Sequence, residues 1–377
     1  MDSEQAPRRK GGIVDCDVHN AFRAYSDLHP YLSDVWKPRV TKDGIGGVGP
    51  GYFSPVGVMR RDARPDDGGP EGSDPALTRA QLLDAYGIDY AILTGQEILR
   101  ISTMTDPNYA AALARAYNDY LIEKWLPSDP RFLGAMTVAT QNPLEAAKEI
   151  DRIGGHPRIV EVLLASATKV PYGQRQYWPI YEAAEHHRLP VAIHPGTEGS
   201  GIANPPTSAG YPSTYLEWHT DLSQNFMAQT VSIVCEGVFV QFPELKLVLI
   251  EGGVGWLPHL MWRLDKNYKA LRAEVPWLTR LPSEYIKEHV RLTTQPIEEP
   301  ASPDHLLDIF EMIDAAHTLV FSSDYPHWDF DDPFWAFRFV PEDLKRRIFS
   351  ETARELYHLP ESTASPTESG EAVASGT

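Results

Sequence analysis

Cysteine is nearly absent from this 377-residue chain: Cys16 and Cys235 are the only two. That is too few for a disulfide framework or a cysteine-based zinc centre. Basic residues are also in short supply. Lysine and arginine together number 34 against 52 acidic residues, a formal charge of -18. A chain of that sign repels phosphate backbones and anionic lipid, so neither nucleic acid nor a membrane is expected as a partner. No apolar run approaches the ~18 residues of a membrane span. The opening stretch, MDSEQAPRRKGG, has no apolar segment behind its basic residues and does not read as a secretory leader. A glycine-rich dinucleotide fingerprint is missing as well: after the first apolar run the chain has Asp17-Val18-His19-Asn20. Hydrophobic residues at 42% and charged residues at 23% are ordinary globular proportions. The expectation is a soluble, cytoplasmic globular protein, either an enzyme or a binding scaffold.

What the chain does contain is a regular alternation. Short aliphatic runs at 13–19, 88–94, 132–138, 159–164, 191–194, 245–251, 290–294 and 318–324 have the length and β-branched content of buried strands. Between them lie helix signals. Asp74-Pro75, Asp106-Pro107 and Asn142-Pro143 each put a capping side chain before a proline suited to the first helical turn. Gly87 and Gly154-Gly155 follow helical patterns as stops, and Leu144, Ala147, Ile150 and Ile153 recur at helical spacing. Eight strands separated by helices predict a parallel α/β protein, a (β/α)8 TIM barrel over residues 13–360, with a doubly wound sheet as the alternative. The ends, 1–12 and 361–377, are too polar to pack and are expected to be unstructured. Two long connections, 22–74 and 196–224, follow strand ends and would lie over the C-terminal mouth, where barrel chemistry sits.

Polar residues gather at those strand ends. In the first strand, alternation sends Val14, Cys16 and Val18 toward the helices and Asp15, Asp17 and His19 toward the axis. An Asp-x-His pair on one face can converge on a divalent ion. His194 closes the fifth strand, Glu251 the sixth (sharing an inward face with Leu249), and Asp324 the eighth. Each has an ordinary alternative: a capping carboxylate, a satisfied core imidazole, a glutamate paired with an arginine. As a set, Asp17, His19, His194, Glu251 and Asp324 form a mixed nitrogen and oxygen group that suits zinc, manganese or iron better than calcium.

The segments VDCDVHN (14–20), VAIHPG (191–196), GVFVQFPELKLVLIEGGVGWLPHLMWRLD (237–265), TTQPIEEP (293–300) and LVFSSDYPHWDFDDP (319–333) resemble the amidohydrolase superfamily. The nearest branch is the one related to aminocarboxymuconate-semialdehyde decarboxylase. The resemblance implies a (β/α)8 barrel and one divalent metal, with zinc the first expectation and manganese or iron the alternatives. It places metal ligands at Asp17, His19, His194 and Asp324. The branch includes hydrolases and non-oxidative decarboxylases of aromatic or enoic acids, and homo-oligomers are common in it. One position departs: the decarboxylases typically have a catalytic histidine after strand six, where this chain has Glu251.

That departure makes hydrolysis of a C–N or C–O bond in a small cyclic or aromatic molecule the leading expectation. A divalent ion would activate water and Asp324 or Glu251 would move its proton. Non-oxidative decarboxylation is the alternative, with His219 or His327 in place of the missing imidazole, and a non-catalytic binding barrel is the third reading. His219 reads more readily as a loop residue packed beside Trp218. Tyr52, Phe53, Trp218 and Trp328 are candidate aromatic walls, and Arg60 or Arg61 a candidate carboxylate clamp. His186-His187 reads as a helix end, and Arg263 with Asp265 as a scaffold ion pair. Trp256, Trp262, Tyr268 and Trp277 fit either core or an oligomer interface.

Overall fold

The structure, a computed structural model, describes residues 12–46, 51–52, 54 and 57–361. The expected unstructured ends, apart from Gly12 and Glu361, and the candidate wall residue Phe53 lie outside the described residues. Eight parallel strands follow one another in sequence order: β1 (Ile13–Val18), β2 (Ile88–Leu93), β3 (Phe132–Thr137), β4 (Ile159–Ala165), β5 (Val191–His194), β6 (Leu247–Leu249), β7 (Val290–Thr293) and β8 (Leu319–Val320). The Cys16 N–H donates to Phe321 O at 2.9 Å and His19 N–H to Tyr325 O at 2.7 Å, which joins the last strand to the first. The result is the (β/α)8 TIM barrel that the alternation predicts.

The helices begin where the caps place them. Asp106 accepts from the N–H groups of Asn108 and Tyr109 ahead of helix Pro107–Tyr120, and Asn142 accepts from Glu145 N–H ahead of Pro143–Ile153. The buried face of that second helix is Ala146, Glu149, Ile150 and Ile153, while Leu144 is exposed. Glu149 tolerates burial because Asn118 donates to it at 2.8 Å and Arg152 pairs with it. None of the helices among the described residues is long and apolar enough to cross a membrane.

Two apolar layers build the barrel. The outer one packs strands against helices and includes Ile13, Val18, Leu93, Met136, Ile193 and Leu249. The inner one fills the barrel with Val14, Cys16, Ile92, Ala135, Leu163, Ala192, Val248 and Val320. Val14 and Cys16 therefore face the axis, the reverse of the expected phase. Ala353, Leu356 and Tyr357 join the inner layer from the C-terminal helix and its end, so this segment plugs the barrel floor.

Glu161 of β4 is fully buried, and the Tyr357 hydroxyl donates to its Oε2 at 2.8 Å. Burial raises its pKa from the ordinary 4.5 to about 8, partly opposed by that hydrogen bond. The folded state thus holds a proton that the unfolded chain releases. This favours folding below the unfolded pKa, and the advantage is lost as pH rises through the folded one. Unfolding of the wild type and Glu161→Gln between about pH 5 and 9 should show a stability difference that grows in the variant's favour and then levels, with a slope of at most ~1.4 kcal/mol per pH unit. Parallel pH profiles would contradict this assignment.

Candidate functional site

The first strand carries a bulge. Asp15 pairs with Ala91 and Val18 with Leu93, so three steps on β1 face two on β2. The extra residue lets Cys16 and Asp17 both turn inward, which simple alternation forbids. Asp15 is instead tied to the neighbouring backbone, accepting from Ser323 N–H at 2.9 Å.

Asp17, His19, His194 and Asp324 meet at the C-terminal mouth, each no more than 2% exposed. His19 Nε2 lies 2.9 Å from Asp324 Oδ1 and 3.8 Å from Asp17 Oδ1. His194 Nε2 lies 3.5 Å from Asp17 Oδ2 and 3.4 Å from Glu251 Oε2. Both imidazoles are oriented from behind: His19 Nδ1 is 2.5 Å from Gly95 O and His194 Nδ1 is 2.8 Å from Pro195 O. A proton on each Nδ1 leaves each Nε2 facing the cluster as a possible ligand. Asp17 Oδ2, His19 Nε2, His194 Nε2 and Asp324 Oδ1 have no hydrogen-bond partner of good geometry among the described residues. Buried polar atoms are rarely left this way, and four aimed together fit a divalent cation. Asp17, His19, His194 and Glu251 present one ligand atom each within 4.8 Å of one another, and so do His19, Glu251, Asp324 and His327. Glu251 belongs to both sets, so it too lies within ligand distance.

The electrostatics agree. Burial would lower the His19 pKa, but Asp17 and Asp324 outweigh it and push it up to about 9. Burial would raise Asp324, yet His327 and His19 hold it well below the carboxylate range. The cluster calls for positive charge at this point. Glu251 is pushed far up, first by burial and then by Asp324, Asp17 and Asp329.

Glu251 reaches the site by an unusual turn. Ile250 belongs to the inner layer and Leu249 to the outer one, so strict alternation would aim Glu251 outward. A left-handed backbone (φ 62) brings it in, anchored by its N–H to Thr293 Oγ1 at 3.0 Å. The expectation that Glu251 shares a face with Leu249 is corrected accordingly. The following loop wraps the Glu298 carboxylate, which accepts from Val254 N–H and, at 2.8 Å, from Gly255 N–H. A Cβ at Gly253 (φ 67) would come within 2.7 Å of Glu298 Oε1, so glycine is required there. No arginine pairs with Glu251 among the described residues; its ionic neighbours are His194 and His219.

Above the cluster is a cavity of about 250 Å³. Tyr52 stacks on Trp218 at 5.6 Å and Tyr215 on His219 at 5.5 Å, with Trp328 6.2 Å from His219. Trp218 and His219 ride on helix Tyr215–Asp221, inside the segment expected to be a loop; its capping box, Thr214 with Glu217, was legible in the sequence. His219 Nε2 is 3.7 Å from Glu251 Oε1 and 3.8 Å from Asp329 Oδ2. Burial lowers its pKa, against the pull of Asp329 and Asp324. His327 Nδ1 is 2.8 Å from Asp324 Oδ2, and Gln96 reaches its other nitrogen at 3.3 Å. Arg100, paired with Glu97 at 3.1 Å, is the one lysine or arginine among the described lining residues.

Sequence reasoning missed Arg100, Gln96, Tyr215 and Asp329; Tyr215 and Asp329 lay in segments already singled out (196–224 and 319–333), the other two did not. The expected clamp residues Arg60 and Arg61 do not line this cavity: Arg60 pairs with Asp62 and packs over Phe330. His187 pairs with Asp151. Asp265 accepts from Ser283 rather than pairing with Arg263. Trp256, Tyr268 and Trp277 make internal hydrogen bonds, which leaves Trp262, 61% exposed, as the outward member of that group.

Comparison with known proteins agrees with this geometry. The family model described as Amidohydrolase matches residues 14–359. The chain is 27% identical to the gamma-resorcylate decarboxylase of Polaromonas sp. (strain JS666) over 266 residues, 67% of this chain and 77% of that one. It is 24% identical to the gamma-resorcylate decarboxylase of Rhodococcus jostii (strain RHA1) over 263 residues, 66% and 76% of the two chains. Among solved structures, dihydroxybenzoic acid decarboxylase from Polaromonas sp. JS666, with bound manganese and 2-nitroresorcinol, gives a TM-score of 0.65 at 22% identity, covering 93% and 97% of the two chains. The 5-carboxyvanillate decarboxylase of Novosphingobium aromaticivorans DSM 12444, complexed with manganese and 4-hydroxy-3-methoxy-5-nitrobenzoic acid, gives 0.68 at 21% identity, covering 95% and 100%. At such identities the solved structures speak for the fold. The family match spans nearly every described residue, and the protein accordingly belongs to the amidohydrolase family, as a metal-dependent hydrolase or carboxy-lyase.

Proposed function

We propose that this protein is a metal-dependent, non-oxidative decarboxylase of a small aromatic acid. The observation that carries this reading is that both curated relatives described above, each aligned over about two thirds of the chain, are gamma-resorcylate decarboxylases. Hydrolysis, the leading expectation from the sequence, draws no comparable support from them. Asp17, His19, His194 and Asp324 are assigned as the metal ligands, with Glu251 within reach. Manganese is the first ion to test, ahead of zinc, because two solved relatives contain it and because hard carboxylate oxygens suit it. When bound, the ion supplies positive charge for the substrate carboxylate and for the charge that develops on the ring.

The residues around it divide the remaining work. The stacked pairs Tyr52–Trp218 and Tyr215–His219 form a slot for a flat ring and exclude water. Arg100 offers its guanidinium fork to an oxygen substituent on that ring. The Glu251 carboxyl donates its proton to the ring carbon that bears the carboxylate. That carbon's bond to the carboxylate then breaks, its electrons return to the ring, and carbon dioxide leaves with both oxygens. His219, at 3.7 Å, stands where it can return a proton to Glu251, and Asp329 steadies its imidazole.

Two measurements test this. Protein purified without chelator should contain near-stoichiometric divalent metal, with His19→Ala and His194→Ala substoichiometric; chelation should lower Tm as the metal's binding free energy is lost. Full metal retention in both variants would overturn the ligand assignment. Manganese-loaded enzyme given 2,6-dihydroxybenzoate or 5-carboxyvanillate in D₂O should release carbon dioxide and place deuterium on the vacated carbon. Glu251→Gln should fall by at least ~10²-fold in kcat, the scale of a lost general acid. Oxygen-18 from water entering the product of an ester or amide substrate, without carbon dioxide release from either acid, would favour hydrolysis instead.

A further inference from the structure

At the N-terminal mouth of the barrel, the end opposite the metal cluster, lies a second cavity of about 840 Å³. Nothing in the proposed reaction uses it. Lys246, Arg291 and the rim residue Arg188 line it. The sheet register explains how the first two arrive. Arg291 pairs with Val248, an inner-layer residue, and Lys246 lies two positions before Val248, so both start on the inward side of their strands.

These two cations lack carboxylate partners. Among the described residues, no carboxylate oxygen lies within 4.0 Å of the Lys246 ammonium or the Arg291 guanidinium. Arg291 Nη1 donates to two carbonyls, Val290 O at 2.9 Å and Glu288 O at 3.2 Å. The nearby acids are already engaged. Glu288 pairs with Arg280 at 2.6 Å, Glu355 with Arg347 at 2.5 Å, and Asp314 with His317 at 3.0 Å. Glu185 accepts from the Glu244 N–H at 2.9 Å. The contrast with other arginines is clear: Arg60, Arg131, Arg152, Arg280 and Arg347 are all raised in pKa by a contacting carboxylate. Burial lowers Lys246, helped by the charge of Arg291, and burial lowers Arg291. Glu288 and Glu244 pull against that shift at Lys246, and Glu355 and Asp314 at Arg291, but none of the four brings its carboxylate into contact with either cation. Half-buried cations that face a cavity with no contacting carboxylate leave room for one more oxyanion.

We propose that this cavity is a second binding site, which takes the oxyanion end of a small soluble molecule, a phosphate or carboxylate group, between Lys246 and Arg291. Glu182, Glu185, Glu244 and Glu355 also line the cavity and oppose a wholly anionic ligand. The preferred molecule presents its oxyanion inward and a neutral or cationic end to solvent. The site is independent of the decarboxylase reading.

The test uses the manganese-loaded full chain, with inorganic phosphate and malonate as probes and chloride added to hold ionic strength constant. Tm should rise saturably with at least one probe. Lys246→Met and Arg291→Met should each weaken the apparent affinity by at least about tenfold, as expected when one partner of a charge-assisted contact is removed. Asp324→Asn should keep the response, because it alters only the opposite mouth. If Arg291→Met does not fold, Lys246→Met alone decides the matter. No saturable shift in the wild type, an undiminished shift in Lys246→Met, or loss of the shift in Asp324→Asn would overturn the proposal.

Discussion

Four buried atoms without a hydrogen bond of good geometry among the described residues, Asp17 Oδ2, His19 Nε2, His194 Nε2 and Asp324 Oδ1, are the constraint on which the rest of the mouth depends. Each belongs to a side chain whose other polar atom is held by the protein. Thr94 donates to Asp17 Oδ1 at 2.7 Å, Gly95 O and Pro195 O hold the two imidazoles, and His327 holds Asp324 Oδ2. The protein thus fixes four side chains by one atom apiece and leaves the other facing a common point. Without a cation there, the mutual repulsion of buried carboxylates would work against the fold that assembles them.

The same constraint changes the meaning of the chain's acidity. A formal charge of -18 suggests that anions are repelled everywhere. Inside the mouth, a divalent ion offsets the acids that point inward, and Arg100 is the full cation among the described lining residues. At the floor, Lys246 and Arg291 have no carboxylate against them among the described residues. Both cavities thus carry cations on their walls while the net charge is acidic, and what a ligand meets is the local field rather than the net count.

Much of this was legible in the sequence, and the limits were physical. The eight strands and the gathering of Asp17, His19, His194, Glu251 and Asp324 follow from periodicity and from polar residues at strand ends. What failed was phase. A bulge is a difference in residue count between two strands, visible only once β1 and β2 are aligned, so the inward turn of Cys16 could not be read from β1 alone. Arg100 escaped because its short helical turn after β2 has no periodic pattern and its neighbours come from other loops. Gly95 O and Pro195 O, which orient the imidazoles, are backbone atoms and leave no trace in residue identity. His219 was legible as a residue but not as a neighbour of Glu251, since that contact joins two segments about thirty residues apart.

Two non-glycine residues at the mouth have left-handed backbones: Glu251 (φ 62) and Asp324 (φ 58). That conformation costs roughly 1–2 kcal/mol for a residue with a Cβ, and glycine would relieve it. Both positions instead hold a carboxylate aimed into the cluster. Their surroundings maintain the turn: Thr293 Oγ1 and the loop closed on Glu298 support Glu251, while Asp324 N–H donates to Asp17 O at 3.2 Å. Strain maintained by this much structure is better explained by the side chains it delivers than by packing. It also bears on the missing strand-six histidine. Glu251 brings a carboxyl to that place, and His219 brings an imidazole beside it from a separate helix. The acid is thus carried by the barrel and the imidazole by a helix over the mouth, and the two already lie 3.7 Å apart.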